Sequence, residues 1–220
     1  MNGIADYLSG KNIIIIAGHY GAGKTNLAVN LSVELRCTLV DLDIVNPYFR
    51  SADSKAELQK LGIECIAPEF ANSNLDIPAL PAGINSIFAG ETKRAVIDVG
   101  GDGGSVALGG FADKIRRERF EMIYVVNKYR PLIGSAESAA ELAKHIERKS
   151  KLKITALINN SNIGGLTTEK EALGSMEYAF KTAELLDVPL LGTTFMGNVD
   201  FCEKKEYNIL RIKNYTKKLF

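Results

Sequence analysis

Eight consecutive residues near the amino end of the chain combine three glycines with a lysine and a hydroxyl group. The segment Gly18–Thr25 reads GHYGAGKT and meets the pattern G-x-x-x-x-G-K-[ST] at all of its defined positions. Glycines allow a tight loop whose backbone N–H groups point inward, where they bind anionic oxygens. The lysine adds a mobile positive charge, and the threonine hydroxyl is an oxygen ligand for Mg²⁺. These residue types at this spacing predict a loop that binds the phosphates of a nucleoside triphosphate.

We predict that the whole loop and the residue after it contact the nucleotide. The predicted binding residues are Gly18, His19, Tyr20, Gly21, Ala22, Gly23, Lys24, Thr25 and Asn26. Lys24 would reach the β- and γ-phosphates, and Thr25 would ligate the metal ion. The alternative is a glycine-rich turn that binds nothing. An apolar segment before the loop and a helical pattern after it favour phosphate binding, since the motif requires that context.

Carboxylates follow two other apolar segments. Asp41 and Asp43 fall in VDLD and lie on one side of the strand if it stays extended, whereas Asp98 ends the segment Ala95–Asp98 (AVID). Mg²⁺ prefers an octahedron of oxygen ligands, so a single hydroxyl is not enough. We therefore predict a metal site formed by Thr25, Asp43 and Asp98. The alternative for any one aspartate is a helix cap or a turn former.

A glycine pair follows Asp98 and resembles the switch that comes after a Walker B strand. Gly100 or Gly101 would offer a backbone N–H to the γ-phosphate, and Gly101 is included in the predicted nucleotide site. Asp102 is interpreted instead as a cap or turn residue.

Alternating strands and helices must position these motifs. Four consecutive isoleucines in Asn12–Ala17 indicate a strand buried on both faces, and leucines recur at helical spacing within Lys24–Arg36. The other predicted strands are Thr38–Leu42, Ile63–Ala67, Ala95–Val99, Met122–Val126, Ile154–Asn159 and Leu190–Thr194. The other predicted helices are Ser54–Leu61, Ala107–Arg117, Ser135–Arg148 and Thr168–Leu186. This alternation predicts one α/β domain over residues 1–220, with a three-layer α/β/α P-loop NTPase fold, a mainly parallel sheet, and ligands at the carboxyl ends of its strands.

Composition is that of an ordinary soluble domain. The net charge of +1 gives no electrostatic signal for nucleic acid. The three cysteines are far apart and form no C-x-x-C pair, so we expect neither a disulfide framework nor a zinc site within the chain, and we expect a cytoplasmic location. The amino end lacks the pattern of a signal peptide, and the apolar run Ile13–Ala17 is too short to span a bilayer.

With these motifs in place, the chain resembles the ParA/MinD-like P-loop ATPases, a class that also includes the nitrogenase iron protein, the bacterial tyrosine kinases and the CobQ/CobB group. The resemblance covers most of the chain and rests on Gly18–Thr25, Asp41 with Asp43, Asp98 with Gly100 and Gly101, Leu157–Asn160 (LINN), and Val188–Gly192 (VPLLG). It implies that Asp43 orients the attacking water and contacts the Mg²⁺ shell, and that Asp98 is the Walker B metal residue. It further implies that Lys24 is catalytic and that Asn160 recognises adenine; the alternative for Asn160 is capping of its own strand.

Two departures from related patterns matter for function. ParA/MinD proteins carry a lysine after the first loop glycine, and it reaches the nucleotide of the partner subunit in a dimer. This chain has His19 there, and a neutral imidazole has no fixed charge. The bacterial tyrosine kinases have arginine where this chain has Val45, and their terminal tyrosine cluster is absent here.

The segment Asn127–Arg130 (NKYR) bears on the choice of base. An N-K-x-D guanine motif needs an aspartate where this chain has Arg130, which favours ATP over GTP. Asn127 and Arg130 directly follow a predicted strand. We interpret them as a surface turn before Pro131, with a role in the site as the alternative.

Two further segments have two interpretations each. Asn46–Arg50 (NPYFR) would contact nucleotide or partner, or else pack a loop onto the sheet. The tail Lys204–Phe220 mixes basic and apolar residues, a pattern that fits a final helix packed on the sheet or a membrane-binding amphipathic helix. We favour the packed helix.

The resulting hypothesis is Mg²⁺-dependent ATP binding with slow hydrolysis in a ParA/MinD-like switch. The resemblance implies a homodimer and a protein partner, and nothing in the chain clearly predicts nucleic-acid or membrane binding. The alternatives are a phosphotransferase related to bacterial tyrosine kinases and a nucleotide-binding scaffold that hydrolyses nothing. The presence of both Asp43 and Asp98 favours the first two hypotheses, and the missing tyrosine cluster favours the first.

Overall fold

The computed structural model describes residues 2–43, 52–67, 82–89, 94–197 and 208–216. Its described residues contain eight strands in one sheet, and each neighbouring pair is parallel. The strands are β1 Ile13–Gly18, β2 Thr38–Asp41, β3 Cys65–Ile66, β4 Ala95–Asp98, β5 Phe120–Val126, β6 Ala156–Asn159, β7 Leu190–Phe195 and β8 Ile209–Arg211. Their spatial order is β3-β2-β4-β1-β5-β6-β7-β8, so β1 lies between β4 and β5.

The central strand β1 is buried on both faces, as its run of isoleucines predicts. Ile13 and Ile15 belong to one apolar cluster and Ile14 and Ile16 to the other, and all four are fully buried. Each such side chain stabilises the fold by about 1.5–3 kcal/mol relative to an exposed one. The loop that follows β1 therefore starts from a fully buried strand inside the sheet.

Helices cover both faces of the sheet. Residues of α1 Asn2–Tyr7, α2 Lys24–Leu35 and α3 Ala52–Lys60 belong to or adjoin one cluster, and residues of α4 Gly101–Gly109, α5 Ala112–Ile115, α6 Ala136–Ser150 and α8 Met176–Leu186 belong to the other. A short helix α7 Glu169–Gly174 precedes α8, and 3₁₀ turns occupy Ala82–Phe88, Pro131–Ile133 and Gly164–Leu166. The arrangement confirms the predicted three-layer α/β/α P-loop NTPase fold with a parallel sheet. None of the described helices is long and apolar enough to cross a membrane.

Three predicted helices differ from the observed elements. The prediction Ala107–Arg117 is wrong in its bounds, because the segment is split between α4, which already begins at Gly101, and α5. Thr168–Leu186 breaks at Ser175, whose hydroxyl accepts a hydrogen bond from the Asn159 amide at 2.8 Å and so ties the break to the end of β6.

The tail is the third difference. Its described part, residues 208–216, contains strand β8 and no helix. β8 extends the parallel sheet beside β7, and Leu210 and Ile212 are buried. The apolar residues of the tail that the structure describes therefore pack as an edge strand.

Candidate phosphate-binding site

The loop Gly18–Thr25 joins the carboxyl end of β1 to the amino end of α2, as predicted. Gly21 and Gly23 have φ angles of +73° and +85°, in the left-handed region that glycine adopts without strain. A Cβ atom on Gly23 would lie only 2.2 Å from Nδ2 of Asn160. The loop conformation therefore requires glycine at this position.

Side chains hold three carbonyl groups of the loop in place. The bonds run from Lys24 Nζ to His19 O at 2.9 Å, from Arg130 Nε to Gly21 O at 2.7 Å, and from Asn160 Nδ2 to Ala22 O at 2.6 Å. Because the N–H and C=O of a peptide unit point in opposite directions, fixing these carbonyls also fixes the orientation of the neighbouring N–H groups. The loop is thus shaped by residues from the ends of β5 and β6 as well as by its own lysine.

Lys24 is nearly fully buried within this loop, with 7% of its surface exposed. Burial lowers the pKa of its ammonium group, and the carboxylates of Asp98 and Asp43 act in the opposite direction. Its hydrogen-bond partner in the structure is a neutral carbonyl, the oxygen of His19. A buried ammonium is stabilised far more by anionic oxygens than by a carbonyl, so this environment favours contact of Lys24 with phosphate, which stays a prediction.

Asp98 ends β4 beside the loop and is 2% exposed. Burial raises its pKa to about 6, while Lys24 and a hydrogen bond with Thr25 act to lower it. Within the described part of the chain, its Oδ1 atom is buried and has no hydrogen-bond partner. A buried oxygen without a partner is costly, and a bound cation would satisfy it.

Asp43 lies next to the same group of residues. Its backbone N–H donates to Oδ1 of Asp41 at 2.9 Å, and Asp41 is the register partner of Asp98 on the adjoining strand. A Cβ atom on Gly100 would lie 2.2 Å from Cγ and 2.6 Å from Cα of Asp43. Because Gly100 has no side chain, Asp43 packs directly against the backbone that follows β4.

The structure brings the predicted metal residues Thr25, Asp43 and Asp98 together around Lys24: Asp98 and Asp43 act on the pKa of Lys24, and Lys24, Thr25 and Asp43 act on the pKa of Asp98. One hydroxyl and two carboxylates, of which Asp98 has an unsatisfied oxygen, fit the oxygen preference of Mg²⁺. The described residues contain no cluster of three or more His, Cys, Asp or Glu side chains able to hold a metal ion. A metal ion here would accordingly take its remaining ligands from phosphate and water.

The raised pKa of Asp98 predicts how stability depends on pH in the metal-free protein. The native state keeps this proton up to a pH of about 6, whereas the unfolded chain releases it near its ordinary value of 3.8. The native state therefore loses stability as the pH rises through this window. We expect the free energy of unfolding of wild type, measured with urea, to fall between about pH 4.5 and about pH 7. Relative to the Asp98→Asn protein, the fall should be on the order of 1–2 kcal/mol. A difference between the two proteins that does not change with pH would contradict this prediction.

Two predicted nucleotide residues use their side chains elsewhere. Asn26 donates from Nδ2 to Lys213 O at 3.0 Å and accepts at Oδ1 from Tyr215 N at 2.8 Å, so its amide holds the segment after β8. Asn160 donates to the loop, as described above, and its Oδ1 accepts from the hydroxyl of Thr194. Contact of Asn160 with adenine remains a prediction, and its observed role is to support the loop.

Gly101 begins α4 and lies beside the first half of the loop. It shares a cavity of about 400 Å³ with three loop residues and three apolar side chains. The lining residues are Gly18, His19, Tyr20, Gly101, Leu132, Leu142 and Ile146. This volume falls in the range of small-molecule sites. The predicted segment Asn46–Arg50 lies outside the described residues.

Arg130 contacts the loop although the sequence favours a surface turn, with a role in the site only as the alternative. Its guanidinium donates to Gly21 O. The only signal in the sequence is that it follows a predicted strand. Which strand end adjoins the loop depends on the order of strands in the sheet, which no local motif encodes.

The chain matches no protein-family model and no curated protein sequence. Similar solved structures include the signal recognition particle receptor FtsY from Elizabethkingia anophelis in complex with GDP (18% identity, TM-score 0.48). They also include the cell division protein FtsY from Thermotoga maritima (15%, 0.44) and FlhF complexed with GMPPNP and Mg²⁺ (15%, 0.48). Each covers 84% of this chain, which in turn spans 57%, 61% and 66% of their respective lengths, less than two thirds. These distant neighbours do not confirm the resemblance to ParA/MinD-like ATPases, which stays a prediction.

Proposed function

We propose that this chain is a nucleotide-binding protein that binds Mg²⁺–ATP, hydrolyses it slowly, and acts as a ParA/MinD-like switch on a protein partner. The observation that carries the proposal is the pair of buried side chains, Lys24 and Asp98, that lies with the half-buried Thr25 at the phosphate loop and leaves one Asp98 carboxylate oxygen unsatisfied. A ligand that provides both anionic oxygens and a cation suits such a site. A metal-bound triphosphate provides both.

On binding, the Lys24 ammonium would exchange the His19 carbonyl for oxygens of the β- and γ-phosphates. The N–H groups at the start of α2 add the positive end of the helix. Arg130 and Asn160 hold the loop from outside, so it needs little reorganisation when the phosphates enter. Preorganised donors of this kind stabilise charge better than mobile ones.

Thr25, Asp98 and Asp43 would hold the metal ion. Bound Mg²⁺ would shield the charge of the terminal phosphates and draw electron density from the γ-phosphorus. Asp43 would orient a water molecule toward the γ-phosphate, so that the bond to the β–γ bridging oxygen breaks and ADP and phosphate leave. Its backbone contacts with Asp41 and Gly100 support this role, because they limit the positions open to the carboxylate.

The cavity beside His19 and Tyr20 supports phosphoryl transfer as the second candidate. An acceptor molecule bound there would lie next to the loop, against Gly101. In that case the γ-phosphoryl group would go to a hydroxyl of the acceptor instead of to water. Incubation with labelled ATP separates the two functions, since only a phosphotransferase gives a labelled product other than phosphate.

The proposed switch would work in the cytoplasm. It would form a homodimer when nucleotide is bound. Cys37 is buried, and burial raises the pKa of its thiol to about 11. An inert buried thiol is compatible with a reducing compartment. Sedimentation with a non-hydrolysable ATP analogue tests whether dimers form with His19 in the position of the family's lysine.

Calorimetric titration with ATP and GTP, each with and without Mg²⁺, tests the central proposal. We expect ATP to bind more tightly than GTP and to need Mg²⁺ for full affinity, because Asp98 and Asp43 repel an unshielded triphosphate. Phosphate release should then follow at a slow, measurable rate. Absence of binding of either nucleotide would refute the proposal, and tighter binding of GTP would reverse the choice of base.

A further inference from the structure

The turn that follows β5 is held by a buried asparagine. Asn127 is fully buried; its Oδ1 accepts from Tyr129 N at 3.0 Å and Asn162 N at 3.3 Å, and its Nδ2 donates to Asn162 O at 3.1 Å. The next backbone N–H, that of Lys128, donates to Ser161 Oγ at 2.8 Å. The turn is therefore tied to the residues that follow β6, and its conformation is fixed from inside the protein.

The backbone of Arg130 is fixed on both sides. Its N–H donates to Asn127 O at 3.1 Å, and its carbonyl accepts from Ile133 N at 3.1 Å at the start of a 3₁₀ turn. Ile133 is fully buried, and the hydroxyl of Tyr129 donates to Glu171 O at 2.8 Å. These seven hydrogen bonds fix the backbone from which the Arg130 side chain extends.

The guanidinium group of Arg130 lies on the rim of the phosphate loop. Nε donates to Gly21 O at 2.7 Å, and a Cβ atom on Gly21 would lie 3.3 Å from Nε and 3.7 Å from Nη1. Arg130 is otherwise exposed, and among the described residues we find no hydrogen bond or ion pair to its Nη groups. One edge of the fork therefore holds the loop, while the other edge and the flat face remain open.

The order of the strands tells which end of a nucleotide meets this open edge. β4, with Asp98 at its end, lies on one side of β1, and β5, followed by Arg130, lies on the other. The metal ion and the terminal phosphates belong on the Asp98 side. Because the triphosphate extends across the loop, the nucleoside must extend toward β5 and β6.

We propose that Arg130 is a nucleotide-contacting residue whose Nη groups and flat face bind the nucleoside end of the ligand, while its Nε holds the loop at Gly21. This inference rests on the proposed function and names a residue that determines affinity for that site. A guanidinium group suits the task, since it stays charged, stacks on aromatic rings and offers several donors in a rigid fork. It also gives the loop a fixed positive charge at Gly21 within the same chain.

The test compares Arg130→Ala and Arg130→Lys with wild type, using ATP, ADP and inorganic tripolyphosphate as ligands, each with Mg²⁺, in calorimetric titrations. Arg117→Ala is the matched control, because Arg117 is exposed in the turn before β5. This turn lies at the amino end of the strand, whereas the phosphate loop lies at the carboxyl ends. For Arg130→Ala we expect ATP and ADP to bind about 10- to 100-fold more weakly. Tripolyphosphate, which lacks a nucleoside, should lose at least about tenfold less affinity than ATP, because it loses only the support of the loop at Gly21.

Arg130→Lys should lose most of the same affinity, because an ammonium group cannot hold Gly21 and contact the nucleoside together. An equal loss for all three ligands would mean that Arg130 only shapes the loop, and it would overturn the proposal. Unchanged affinity for ATP would overturn it as well. If wild type binds tripolyphosphate but not ATP or ADP, the proposed nucleotide function fails, an outcome that is distinct from a failure of Arg130 alone.

Discussion

Replacing Lys24 with alanine is expected to lower the affinity for Mg²⁺–ATP by about 100- to 1,000-fold, because two charge-assisted hydrogen bonds to phosphate are lost. The same change should leave the fold intact. Lys24 is buried, burial lowers its pKa, and its hydrogen-bond acceptor is a carbonyl group, so little native stability depends on its charge. Calorimetry gives the affinity, and the thermal midpoint of the ligand-free protein gives the stability.

The control for this experiment is Lys144→Ala, which removes an exposed lysine from α6. It changes the net charge by the same amount and should leave ATP affinity within about threefold of wild type. Nearly unchanged ATP binding in the Lys24 variant would exclude this loop as the phosphate site. A lower thermal midpoint without ligand would show instead that Lys24 has a structural role.

Replacing Asp43 with alanine or asparagine is expected to lower turnover of ATP by at least about 100-fold while ATP affinity changes little. A loss of turnover of this size is expected when a group that positions or activates the reacting water is removed. Affinity should survive because the loop, Lys24 and Asp98 remain in place. Steady-state phosphate release and calorimetry on the same samples separate the two quantities.

Gly100→Ala tests the same carboxylate without changing it. The added methyl group would lie 2.2 Å from Cγ of Asp43, so the carboxylate must move. We expect the same pattern, with turnover lost and binding kept. Asp113→Ala is the control, since that carboxylate is highly exposed in a surface ion pair with Arg116. Unchanged turnover in Asp43→Asn would remove Asp43 from its proposed role.

Strands β1 to β7 could be predicted because each has a local sequence pattern, whereas β8 could not. The isoleucine run of β1 and the segment Thr38–Leu42 at β2 are short and mainly apolar, so predicting them needs no knowledge of the neighbouring strands. α4 could not be placed correctly, since its glycines have poor helix propensity. The structure explains them by close packing: a Cβ on Gly104 would lie 2.9 Å from Leu42 O, and one on Gly109 would lie 2.6 Å from Lys149 O.

The phosphate loop could be predicted for a similar reason, because all of its defined residues are consecutive. The residues that support it from outside could not. Arg130 and Asn160 reach the loop only because β5 adjoins β1 and β6 adjoins β5, and the sequence does not specify this order. The hydrogen bonds from Asn26 to the segment after β8 could not be predicted either, since its partners lie 187 and 189 residues away.

The link between Asn26, Asn30 and the segment after β8 has a consequence for how the protein is made. Asn30 accepts from Lys213 N and donates to Lys213 O, each at 2.8 Å, so both asparagines of α2 depend on residues near the carboxyl end. During synthesis, α2 is translated long before Lys213, and its two buried amides stay without these partners until the segment after β8 has emerged from the ribosome. Contacts of such sequence separation form late in folding. The helix that carries the phosphate loop is therefore completed only after all eight described strands have been translated.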